Sequence, residues 1–155
     1  MNATSSRYFR ATTLLAVNLL YLMVWGFAGI SKMVDGMPSW FGDKFGPTVL
    51  GKFLGLSVTF WLLTCSELFA FALAAAALLR FEFLRRRSPP LLSSALVWSL
   101  FVFLQLGFGQ WLTGEFNGAF QQFVYGSGTL VALLVVCPEI AGMNSTGDGK
   151  TPASK

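Results

Sequence analysis

The stretch that decides the fold runs from Phe53 to Arg87: FLGLSVTFWLLTCSELFAFALAAAALLRFEFLRRR. From Phe53 to Leu79 it carries one charged residue, Glu67. A helix of roughly 20 mainly apolar residues crosses a bilayer. This run is longer, so the helix tilts or begins above the hydrocarbon. It then stops at Arg80, Arg85, Arg86 and Arg87, opposed only by Glu82. An apolar run closed by clustered arginines reads as a membrane span whose arginine end is cytoplasmic.

Working outward, three more runs of the same kind appear. The four expected spans are 13–30, 53–79, 91–112 and 119–136. Arg7 and Arg10 precede the first, and Lys150 and Lys155 lie in the tail. The loop at 31–52 balances Lys32, Lys44 and Lys52 against Asp35 and Asp43, and the loop at 113–118 carries only Glu115. The bias toward positive residues places both termini and the arginine loop in the cytoplasm. Short loops make neighbouring spans antiparallel. The expected fold class is therefore an all-α membrane protein, an antiparallel four-helix transmembrane bundle, N-in and C-in. Residues 1–141 form its single domain. Residues 142–155, rich in Gly, Ser, Thr and Lys, read as a disordered cytoplasmic tail. The first run is too long for the apolar core of a signal peptide and lacks a small-residue cleavage site, so it is read as a retained helix.

Composition closes off other classes. Of 155 residues, 54% are hydrophobic and 12% charged, against about 25% charged in an average soluble domain. Eleven basic and seven acidic residues cannot cover a water-facing surface, which excludes an ordinary soluble enzyme and a disordered or nucleic-acid-binding protein. There is no His, so no His-ligated metal or haem and no His general base. Cys65 and Cys137 are too far apart for a C-x-x-C motif, which leaves no zinc or iron–sulfur spacing. Cys65 reads as a small apolar filler, and Cys137 lies at the cytoplasmic end. No cofactor-binding motif is present, and nothing in the chain forms a self-contained catalytic motif.

The loop after the first span is the most distinctive. In Ser31–Phe45, Val34, Met37, Phe41 and Phe45 recur near helical spacing with charges between them. That is an amphipathic segment for the membrane interface, anchored by Trp40 and interrupted at Gly36 and Pro38. It reads as a lid over the outer end of the bundle, or as a gate to a lateral site for a lipid-soluble ligand.

Buried polar residues carry the functional signal. Glu67 lies 15 residues after Lys52 and 13 before Arg80, near the middle of its span. A carboxylate there costs about 2.5 kcal/mol or more, so it faces the bundle interior, finds partners or is protonated. At a rise of about 1.5 Å per residue, Trp25, Gln105 and Tyr125 lie at comparable depth and are its expected neighbours. Asn18 lies deeper. Gln110, Gln121 and Gln122 lie near the outer interface and read as helix–helix glue. Lys32 ends the first span, where its long stem snorkels, with an anion-facing role as the alternative. The candidate ligand-binding residues are Glu67, Trp25, Gln105, Tyr125 and Lys32, with Glu67 as the candidate proton relay. Small residues four apart (Gly51/Gly55, Ala70/Ala74, Ala72/Ala76, Gly128/Ala132) allow close helix approach.

Three features together resemble a known family. The run Phe27-Ala28-Gly29-Ile30-Ser31-Lys32 closes the first span and precedes the amphipathic loop, Cys65-Ser66-Glu67-Leu68 lies in the second, and Gly107-Phe108-Gly109 lies near the end of the third. This layout, over roughly 12–137, resembles the DoxX family of small bacterial membrane proteins. Wider relatives include the membrane subunit of thiosulfate:quinone oxidoreductase and a methylamine-utilisation protein. The resemblance implies a bacterial inner-membrane protein that serves membrane redox or sulfur metabolism, as a subunit or accessory. Glu67 reads as a hydrogen-bond partner for a bound quinone or a polar substrate, or as a neutral acid clasping another helix, and the expected partners are membrane lipids with either a membrane-protein partner or a second copy. The chain departs from thiol-redox relatives in lacking paired cysteines, which argues against thiol–disulfide catalysis. Two other functions fit the residues: a non-catalytic scaffold or assembly factor, and a small lipid-binding or proton-coupled transport protein.

Overall fold

The structure is a computed structural model, and it describes residues 3–85 and 88–139. Arg86, Arg87 and the tail expected from residue 142 lie outside the described residues. The order is α1 (Ala3–Asp35), α2 (Ser39–Phe45), a π-helical turn (Leu50–Leu54), α3 (Leu56–Leu79), a 3-10 turn (Glu82–Leu84), α4 (Pro90–Leu112) and α5 (Phe116–Val136). No strand occurs among the described residues. Four helices are long and apolar enough to cross a membrane: Ser5–Asp35, Leu56–Leu79, Pro90–Leu112 and Phe116–Val136. The chain is an all-helical, multi-pass integral membrane protein.

Each helix boundary has a local cause. α1 begins well before Thr13 and continues past Ile30, because no proline interrupts residues 3–35. Thr12 and Thr13 turn their hydroxyls back onto the carbonyls of Tyr8 and Phe9 (2.8 and 2.9 Å), so their polar groups do not interrupt the helix. α1 stops at Gly36, whose φ of +71° needs a residue without Cβ. Pro38 then precedes α2. The residues from Phe53 do not form one helix with α3, since Gly55 (φ +85°) separates the π-helical turn from it. α4 starts with Pro90 in its first turn, where the missing N–H costs nothing. α5 begins at Phe116, so Phe116, Asn117 and Gly118 belong to the helix and the loop before it is shorter than the sequence implied.

Close packing of α1 on α3 depends on two glycines. A Cβ on Gly26 would meet the Phe71 ring at 3.0 Å, and one on Gly29 would meet Leu68 at 2.8 Å. Ala70, Ala74 and Ala77 bury the facing stripe of α3 completely. Of the small-residue pairs, only Ala70/Ala74 is wholly buried. Ala72 and Gly128 are exposed. Cys65 is exposed rather than a core filler. Beyond this pair, α4 packs on α3 and α5, and the core includes Leu14, Trp25, Leu92, Leu96, Val102 and Val136. α5 is the least enclosed helix, with only Thr129 and Val136 buried.

Polar side chains tie the helices together inside this core. Tyr21 donates to Thr129 Oγ1 (2.6 Å), joining α1 to α5. Trp25 Nε1 donates to Ser99 Oγ (2.7 Å), joining α1 to α4, and the Ser99 hydroxyl donates in turn to the Ala95 carbonyl (2.7 Å). Trp98 Nε1 donates to the Ser66 carbonyl (3.0 Å), joining α4 to α3. With its amide nitrogen toward α3, Asn18 donates to the Ala74 carbonyl (2.9 Å) and accepts from Leu78 N (3.1 Å). Each such bond inside a membrane protein averages only about 0.6 kcal/mol, so they fix register more than they add stability.

Candidate functional site

The site is built where α1 ends. Trp25, Gly29 and Lys32 follow the i, i+4, i+7 pattern, so they lie along one stripe of α1. Gly29 lets that stripe approach Leu68, and the residue before Leu68 is Glu67. On α3, Glu67 shares the buried stripe of Ala70 and Ala74 and so points into the interface. Lys32 extends along this interface and donates from Nζ to both Oε1 and Oε2 of Glu67, each at 2.6 Å. Glu67 is 1% exposed and the Lys32 side chain 28% exposed. The ammonium has three protons, and the bidentate contact leaves one for another acceptor. A lone buried carboxylate would carry a desolvation penalty of several kcal/mol, which the ammonium offsets.

Above this pair lies a cavity of about 570 Å³. Leu62, Leu63, Leu106 and Phe108 give it apolar walls. Lys32, Asp35, Lys44, Gln105 and Gln110 supply the polar groups. α2 and its flanks close it. Phe41, buried, packs edge-on against Phe60 (5.4 Å) and beside Phe45 (4.5 Å). Phe45 in turn lies against Gly109, where a Cβ would come within 3.4 Å of the ring. Lys44 Nζ pairs with Glu115 at 2.6 Å, fastening α2 to the start of α5, and also lies over the Trp40 ring at 5.8 Å. The amide oxygen of Gln110 is packed against Gly118, a position where any Cβ would collide with it.

The expected site residues divide in two. Lys32 and Gln105 line the cavity, and Glu67 anchors Lys32 from below. Trp25 and Tyr125 do not line it. Trp25 is bonded to Ser99 and packs its ring on Phe103 at 4.9 Å. Tyr125 is 52% exposed on α5, with its ring 5.9 Å from Phe103. Depth along the span places these two near the level of Glu67, but depth says nothing about which face a residue occupies. The partner is instead Lys32, because its flexible stem carries the ammonium well away from its own Cα.

The sequence singles out some of these residues but not which of them meet. Phe41, Phe45 and Gly109 meet only through folding, and Lys44 and Glu115 are 71 residues apart. At the opposite end of the helices, Glu82 is the other buried acid among the described residues, 1% exposed. Its Oε2 accepts from the backbone N–H groups of Leu91 and Leu92 (3.0 and 3.1 Å), capping α4. Glu82 lies eight residues before Pro90, beyond the reach of a local capping pattern. Among the described residues no three His, Cys, Asp or Glu side chains cluster to hold a metal. No family model matches this chain, and no curated protein or solved structure matches it.

Proposed function

We propose that the chain is a DoxX-like protein of the bacterial inner membrane that binds a lipid-soluble ligand under α2 and serves a membrane redox complex, quinone- or sulfur-linked, as a subunit or accessory. One observation carries the reading: Lys32, held by buried Glu67 at 2.6 Å, lines a largely apolar cavity of about 570 Å³. Cavities of about 300–1,000 Å³ with apolar walls and a few convergent polar groups are typical of small-molecule sites. A quinone would use these groups: Lys32 would donate to a ring carbonyl, Gln105 would offer a second polar contact, and the leucine and phenylalanine walls would receive the ring and the start of its tail. A bound quinone would supply two-electron, two-proton redox chemistry, and Lys32, held in place by Glu67, would be the hydrogen-bond donor that faces it.

The same reading sets the bundle antiparallel, with both termini cytoplasmic. Contacts support the first point: moving three residues along α1, from Gly26 to Gly29, moves three residues back along α3, from Phe71 to Leu68. The positions of Arg7, Arg10, Arg80 and Arg85 support the second. α2 then lies at the outer interface, with Trp40 exposed there as an anchor.

The experiment is gentle purification in nanodiscs followed by mass spectrometry of extractable lipids, quinones and co-purifying proteins, for wild type and Glu67→Gln. A quinone retained by wild type and lost in the variant is the expected result. A second reading, a non-catalytic scaffold, draws on the open face of α5, where Phe120, Phe123, Val131 and Val135 are exposed. A stoichiometric protein partner, with no quinone and no effect of Glu67→Gln, would replace the first reading with the second.

A further inference from the structure

The charges around the cavity restrict what can enter it. Lys32 and Lys44 are the two ammonium groups on its wall, and each is already held by a carboxylate at 2.6 Å, Glu67 and Glu115 respectively. Asp35, also on the wall, adds a third carboxylate. We infer that the cavity takes an electrically neutral amphiphile with a hydrogen-bonding head, and that it rejects anions of the same shape. This rests on the cavity being the ligand site proposed above.

The burial of Glu67 sets this preference. To neutralise an anionic head, Lys32 would have to leave Glu67, which is 1% exposed and would then be an unpaired charge away from water. A neutral head needs only the one proton of Lys32 that the bidentate contact does not use. Lys44 is the weaker guard. Its carboxylate partner, Glu115, is 54% exposed, so that pair exchanges with solvent more readily. Glu115 therefore sets selectivity: it masks the one ammonium group an anion could reach without leaving a buried charge behind. An anionic lipid phosphate or an inorganic oxyanion meets two occupied cations and one free carboxylate. An isoprenoid alcohol or a quinone meets a donor and apolar walls.

The test is retention measured by native mass spectrometry from a non-ionic detergent, with farnesol and farnesyl phosphate as the probes. They share one tail and differ in the charge of the head. Wild type should hold farnesol, and hold farnesyl phosphate about tenfold or more weaker, the scale of an uncompensated charge in a partly buried site. Glu115→Gln, at an exposed position that leaves the buried pair intact, should narrow that gap to about threefold or less by freeing Lys44. Farnesyl phosphate bound as tightly as farnesol by wild type would overturn the inference while leaving the cavity as a ligand site. An unchanged gap in Glu115→Gln would overturn the role given to Glu115. If neither probe is retained, the cavity reading fails and the inference fails with it.

Discussion

At the scale of single residues, the Lys32–Glu67 contact joins a lysine ammonium to a carboxylate that is 1% exposed. Removing one partner leaves a buried charge alone, at a cost of about 3–5 kcal/mol, whereas removing both leaves none. Lys32→Met should therefore lower stability by that order in chemical unfolding from detergent. Lys32→Met combined with Glu67→Leu should recover most of the loss, yet abolish ligand retention. A double variant as unstable as Lys32→Met alone would show that the pair matters for packing rather than charge. Gly29 makes a second, independent demand. Its missing Cβ is what lets α1 approach Leu68, so Gly29→Val should cost about 1–3 kcal/mol by overpacking. Thermal unfolding at the same temperature as wild type would contradict that. The sequence marked Glu67 as a costly mid-span acid but left open whether it faces inward, finds a partner or is protonated; the fold puts it on the buried stripe of Ala70 and Ala74, and its partner was not legible either. Axial counting puts Lys32 at a helix end and Glu67 mid-span, and snorkelling directs the lysine stem outward, whereas in the fold it reaches inward to Glu67.

At the scale of elements, the helix boundaries follow from punctuation that the sequence displays openly. Pro89-Pro90 opens α4, Gly36 ends α1, and Gly36 with Pro38 isolates α2 as a separate short helix. Where the sequence misled, one residue is responsible in each case. Gly55 detaches Phe53 and Leu54 from α3, and Gly114 (φ +75°) closes the last turn early enough for Phe116 to begin α5. Glu82 was read only as a charge opposing arginines, yet it caps α4. Its Oε1 lies 3.9 Å from Arg85 while Oε2 serves the backbone. Glu82→Ala should destabilise the protein by about 0.5–2 kcal/mol, the usual range for a lost helix cap. Hydrogen exchange should localise the effect, with the amides of Leu91 and Leu92 exchanging faster and α5 unaffected. Protection unchanged at those two amides would remove the capping role.

At the scale of the whole molecule, composition and apolar run length were enough for a four-span, all-helical chain, and those four helices are present. Pattern alone could not show how the spans pair or where a cavity opens. Those depend on contacts between residues distant in sequence, such as Tyr21 with Thr129 or Lys44 with Glu115. The proposed orientation has its own test in a cysteine-free background. Cysteine placed at Glu115 should react with a membrane-impermeant maleimide in intact cells, and cysteine placed at Arg85 only after permeabilisation. The reverse pattern would invert the bundle and place α2 and the cavity on the cytoplasmic side.

The most direct measurement is photo-crosslinking in nanodiscs with a quinone bearing a photoreactive group on its tail, followed by peptide mapping. The expected result is labelling concentrated on the segments carrying Phe41–Phe45 and Leu106–Gln110, and suppressed when Leu63→Trp fills the cavity. Labelling spread evenly over the exposed faces of α4 and α5, unchanged by Leu63→Trp, would mean that the cavity under α2 is not where the ligand binds.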